Sequence, residues 1–213
     1  MFLYRIQFIG PAMVHFFRHP LSVQRLPCRT LTLLTLLCVS AVVPGFAPDA
    51  VNAQLVSGPG VGSSLEPLKV VVAAGDNAGQ QVDFADDQKS KPTLFVFVQD
   101  ASWDRPIARF LKTLDQSLDK EQPDAKIIVI WLTEDVDKAK DYLPKAQQSL
   151  KMVRTIWAVY PGDKQGPAGW GINSNAHVTI IVAHDQKVTS SMAHRSVNET
   201  EVPAVLKELK PKN

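Results

Sequence analysis

The chain is poor in cysteine, and the places where its cysteines fall exclude more than their number does. Of its 213 residues two are cysteine, Cys28 and Cys38. From residue 54 onward there is no thiol to form a disulfide, act as a nucleophile or ligate a metal. Acidic residues are scarce at the start as well. Up to Ala53 the only one is Asp49, against Arg5, Arg18, Arg25 and Arg29. Membrane-length apolar runs are also missing, since Leu31–Val43 is about 13 residues and a bilayer needs ~20. There are no internal repeats and no low-complexity tract. With 45% hydrophobic and 21% charged residues, the composition is that of a globular protein, which sets aside disordered and collagen-like classes.

What is present at the start has an order. Arginines come first, the short apolar run follows, and Val51-Asn52-Ala53 then places small residues as a signal peptidase needs them. Residues 1–53 are therefore expected to be a secretory signal peptide, and the protein to be secreted or periplasmic. An uncleaved anchor is the competing reading, and Met13 offers a second possible start. Cys38 does not make a lipoprotein, because Leu37 precedes it where a lipobox has Gly or Ala. Removing four arginines and one aspartate takes the net charge from +2 to −1. A near-neutral domain has no electrostatic basis for binding nucleic acid or an anionic membrane. No stable membrane insertion is expected after cleavage.

About 160 residues remain, the size of one domain. Gln54–Ser64 is rich in Gly and Ser and reads as a flexible arm before a domain at 65–213. Leu68–Ala73 and Gln81–Ala85 flank the turn chemistry of Gly75–Gly79 and predict a β-hairpin. Thr93–Val98 (TLFVFV) is a β-branched and aromatic run, the pattern of a strand buried on both faces. Gln99–Asp104 interrupts it. Ile107, Phe110, Leu111, Leu114 and Leu118 then make one apolar helical stripe. Lys126–Leu132 is a second doubly buried strand, so the pair and its crossover predict a parallel βαβ unit. Thr133 is placed to cap the next helix, which Pro144 should kink or split. Thr155–Tyr160 is a short strand, and Val178–Ala183 and Lys187–Met192 flank a turn at His184-Asp185-Gln186. Val202, Val205, Leu206 and Leu209 stripe a last helix, with Asn198 or Thr200 as its cap.

A buried strand, a short turn and an amphipathic helix resemble the active-site unit of thioredoxin-like proteins. The order of elements resembles the peroxiredoxin-like branch of that superfamily (alkyl hydroperoxide reductase and thiol-specific antioxidant types) from roughly Val61 to Leu209. The resemblance implies an α/β, thioredoxin-like three-layer sandwich with a mixed central sheet and an N-terminal β-hairpin. It also implies thiol chemistry, and the positions that would carry it are degenerate. By spacing from the strand, Ser102 and Arg105 stand where Cys-x-x-Cys would be. Ser102 reads as a helix N-cap and Arg105 as a solvated first-turn residue or an anion contact. Val178 stands where the superfamily has a cis-proline, so an ordinary trans peptide is expected there. The peroxiredoxin Thr-x-x-Cys pattern occurs nowhere.

Two readings follow. In the first, redox catalysis is lost and the fold is a binding or structural module, with Trp103, Asp104 and His177 lining a groove for a protein or peptide partner. Trp103, in an otherwise polar turn, is its best exposed contact, and Trp157 and Trp170 could join it. The second is an enzyme. It would be a thiol-disulfide oxidoreductase or peroxiredoxin-like enzyme if Cys28 and Cys38 are retained, or a non-thiol enzyme pairing Ser102 with His177. No Gly-x-Ser-x-Gly elbow surrounds Ser102. No cofactor is expected. A shared histidine metal site is not expected either, since His177 and His184 fall at opposite ends of one strand, ~20 Å apart.

Overall fold

In a computed structural model, which describes residues 55–88 and 90–210, the strands form one mixed sheet. The signal expected at 1–53, with Met13, Cys28 and Cys38, lies outside the described residues. Strand β1 (Lys69–Ala74) turns back antiparallel into β2 (Gln81–Asp83), with Lys69 opposite Asp83, and the expected hairpin forms. Asp83 caps the single turn α1 (Phe84–Asp87), accepting from Ala85 N at 3.2 Å.

Strand β3 (Thr93–Gln99) is buried from Thr93 to Val98. It leads through α2 (Arg105–Glu121) into β4 (Lys126–Leu132), and through α3 (Val136–Leu150) into β5 (Thr155–Val159). These three strands are parallel neighbours, β3 beside β4 and β4 beside β5. Crossovers of this kind are right-handed, so two steps in the same direction put both helices on one face. Strand β6 (Val178–His184) returns antiparallel to β3 and pairs with β7 (Lys187–His194) through a turn in which Asp185 and Gln186 take positive φ. Helix α4 (Val202–Leu209) ends the fold, and the sheet order is β2-β1-β5-β4-β3-β6-β7.

Side chains alternate along β3 between two cores. Leu94, Val96 and Val98 meet Phe110, Leu114, Leu143 and Leu206 from α2, α3 and α4. Phe95 and Phe97 point the other way, where Trp170 packs against them at 5.2 and 5.3 Å between ring centres. Among the described residues no long helix covers that second face. The third layer there consists of α1, the loop that carries Trp170 and the segment before β1, with Phe84, Trp170 and Leu65 turned inward.

Two local expectations are corrected. Helix α3 runs unbroken through Pro144, which lies on its exposed side, while Ala139, Leu143 and Ala146 hold the buried face. Thr133 is not the cap of α3. Asp135 is, accepting from Lys138 N at 3.0 Å, and Thr133 instead donates to Asp100 Oδ2 at 2.6 Å. The Gly- and Ser-rich segment before β1 is hydrogen-bonded to the domain at Ser57, Gly58 and Gly62. Ser57 shares a 2.6 Å hydrogen bond with Thr179 and accepts from Asn173 N, while Gly58 N donates to Gly171 O and Gly62 N to Val188 O. Glycine here serves close approach: at Gly58, with φ +95°, a Cβ would fall 2.1 Å from Ser191 Oγ.

Candidate functional site

Strands β3 and β4 end side by side, and the chain leaving β3 makes a 3-10 turn, Asp100–Ser102, before α2 starts. That turn uses up residues that spacing alone would give to the helix. Trp103 is extended, and Asp104 is the N-cap, its Oδ1 accepting from Ile107 N at 2.9 Å. Arg105 and Pro106 occupy the first two helical positions, and proline is suited to a first turn where its missing N–H costs nothing.

The expectation that Ser102 caps the helix is therefore corrected. A thioredoxin-type thiolate draws its low pKa from the helix N-terminus, and the residue at that point here is Asp104. The window that opens the helix, counted from its cap, is Asp104-Arg105-Pro106-Ile107. Its last member, Ile107, is 2% exposed and belongs to the core. The helix start has little left to offer an external anion: Pro106 has no N–H and Asp104 has taken that of Ile107.

Trp103 is half-buried rather than a freely exposed contact. Its Nε1 donates to Tyr142 Oη at 2.8 Å, and its ring sits edge-on to Trp131 at 5.1 Å and Trp157 at 6.0 Å. The rings step from fully buried Trp157 out to exposed Tyr142, so the tryptophan of the interior supports the one at the rim. Trp170 takes no part, being buried on the opposite face. The residue that the sequence reading missed is Tyr142. It falls outside the apolar stripe of α3, and an aromatic side chain on the polar side of an amphipathic helix is the signal that could have found it.

The expected groove residues separate. Trp103, Asp104 and Arg105 line one depression of about 440 Å3 with Tyr142 and Lys145. Ser102 lines another, with Gln99, Glu134 and Lys164, where Lys164 and Glu134 are ion-paired and the pairing raises the lysine pKa. His177 is exposed at the start of β6 and lines neither, though its carbonyl accepts from Gln99 N at 3.1 Å. Neither the Ser102 hydroxyl nor the His177 ring makes a hydrogen bond among the described residues, to the other or to a third group. Val178 is fully buried, opposite Val98 on β3 and His194 on β7, and the peptide before it is trans. No group of three or more potential metal ligands occurs among the described residues.

The chain has a thioredoxin-like fold in which the helix after the central strand starts on a carboxylate cap. Similar solved structures agree on the fold. They include the thiol:disulfide interchange protein DsbE from Chlorobium tepidum (TM-score 0.53, 17% identity, 70% of this chain and 95% of that one). The thiol peroxidase from Chromobacterium violaceum is similar (0.51, 18%, 73% and 90%), as is a peroxiredoxin-like protein from Aquifex aeolicus (0.50, 14%, 75% and 91%). The fold is thus thioredoxin-like. Identities this low speak for the fold alone. No protein-family model and no curated protein matches the sequence.

Proposed function

We propose that this chain is an exported thioredoxin-fold protein that performs no thiol chemistry and works as a binding module for a protein or peptide, through the surface around Trp103. The observation that carries the reading is Asp104 at the N-cap of α2. A carboxylate holds the place where the fold would activate a thiolate, and an apolar side chain, Ile107, holds the place of a resolving one. A solvent-reaching aromatic pair, Trp103 and Tyr142, stands beside that cap. Aromatic side chains of this kind are enriched at interfaces, where ring and polar tip each find a partner. The sequence order of the leader supports export.

The alternative, catalysis by Cys28 and Cys38, is tested directly. Purified full-length chain is compared with a Cys28→Ser/Cys38→Ser chain in disulfide reduction and in peroxide consumption. The expected outcome is the same background rate for both. Activity present in the first and absent from the second would overturn the reading.

A further inference from the structure

The Trp103–Tyr142 pair is a saddle between two depressions of opposite charge. On one side lies the depression of about 440 Å3, walled by the first turn of α2 and one stripe of α3. Arg105 and Ala108 are three apart on α2, and Tyr142, Lys145 and Ser149 follow helical spacing on α3. Ala108 and Ala146 keep its floor open where larger side chains would fill it. Its cations are Arg105 and Lys145, neither with an ion-pair partner among the described residues. Its one carboxylate, Asp104, is committed to Ile107 N.

On the other side lies a depression of about 400 Å3, bounded by Asp100, Trp131, Glu134, Asp135 and Lys138. Glu134 is paired with Lys164, and Asp100 and Asp135 against Lys138 still leave it negative. Each volume is within the ~300–1,000 Å3 of small ligand sites. They share Trp103 and Tyr142 as a wall. Tyr142 Oη accepts from Trp103, so its own O–H is left to donate.

Resting on the binding-module reading above, we infer that the saddle takes a short peptide segment carrying an acidic residue, an apolar residue and a basic residue in succession. The apolar side chain lies on the Trp103–Tyr142 rings. The carboxylate meets Arg105 and Lys145, and the cation meets the side of Asp100 and Asp135. Charge complementarity sets which end of the segment goes where, and the rings supply apolar contact that is indifferent to the exact side chain.

The test is calorimetric titration of the full-length protein with acetylated, amidated hexapeptides. The first has the order Glu-Ser-Phe-Phe-Ser-Lys, the second replaces Glu and Lys by Gln, and the third replaces Glu by Lys. The first peptide is expected to bind about tenfold more tightly than the second, which loses both exposed charge contacts. An Arg105→Glu/Lys145→Glu protein is expected to prefer the third peptide, with its melting temperature confirming that it folds. Ala108→Phe, which fills the floor without changing a charge, is expected to weaken all three. Equal binding of the first two peptides, an unchanged preference in the Glu-substituted protein, or no binding of any peptide would each overturn the inference. Equal binding that Trp103→Ala abolishes would overturn the charge pattern and leave the binding module standing. The absence of thiol chemistry is tested separately, by the thiol-activity comparison.

Discussion

Placing Asp104 rather than Ser102 at the helix start makes a quantitative prediction for a thiol installed at either position. In a full-length chain with Cys28 and Cys38 changed to Ser, Asp104→Cys and Ser102→Cys each give a protein with one thiol. A thiolate at position 104 would inherit the N–H of Ile107, which now donates to the Asp104 carboxylate at 2.9 Å. A hydrogen bond to a charged acceptor is worth roughly 1.5–3 kcal/mol, and the helix dipole adds about 0.3–1 kcal/mol at an exposed site. At 1.36 kcal/mol per pKa unit this amounts to about 1.5–3 units. Asp104 is exposed, so solvent screening favours the lower part of that range. The thiol at 104 should therefore titrate at about 6–7, against about 8.5 for an unperturbed cysteine. Ser102 lies in the 3-10 turn, off the helix terminus, and a thiol there should stay near the unperturbed value. Thiolate ultraviolet absorbance against pH, or the pH dependence of alkylation rate, reads both. A lower pKa at 102 than at 104, or equal values, would refute the placement.

Two further outcomes concern the scaffold. Asp115 is 2% exposed on α2 and accepts from Val153 N, Arg154 N and Thr155 Oγ1 at 3.2, 3.0 and 2.7 Å, tying the helix to the start of β5. Asp115→Ala leaves those donors unpaired and should cost about 3–5 kcal/mol in urea unfolding, whereas a loss below 1 kcal/mol would show that water replaces the carboxylate. Burial lowers the pKa of His194 from 6.5, with Glu201 pulling it upward, and its buried Nε2 has no hydrogen-bond partner among the described residues. The unfolded chain then binds more protons than the folded one, so this contribution is complete above pH 6.5 and is lost as pH falls from there through the folded pKa. His194→Gln should flatten that part of the stability–pH curve, and an unchanged difference between pH 7 and pH 5 would refute it.

Much of the architecture was legible because its signals are long and redundant. The TLFVFV and KIIVIWL runs have few alternatives to buried neighbouring strands, and five apolar residues at helical spacing fix the inner face of α2. The details that escaped are those in which local chemistry has two solutions. Ser102, Asp104, Thr133 and Asp135 can all cap a helix, and the 3-10 turn after β3 decides the first choice. Pro106 marked the right start, since proline belongs in the first turn. Glycine and serine at 57–63 suggested looseness. Their small size lets the backbone approach Gly171 and Val188 closely, and the Ser57 hydroxyl meets that of Thr179. The site was half legible: Trp103, Asp104 and Arg105 do come together, while His177 and Ser102 face elsewhere and Tyr142 enters from α3.

The stepped rings have an optical consequence. Indoles 5.1 and 6.3 Å apart, as in Trp103–Trp131 and Trp131–Trp157, couple their excited states and pass excitation between them. Trp103 is the member of that set which meets solvent, so whatever settles on it alters the emission and near-ultraviolet dichroism of the whole group. Trp170, sealed beneath Phe95 and Phe97 on the far face of the sheet, provides a steady background. The protein thus carries its own label-free gauge of groove occupancy.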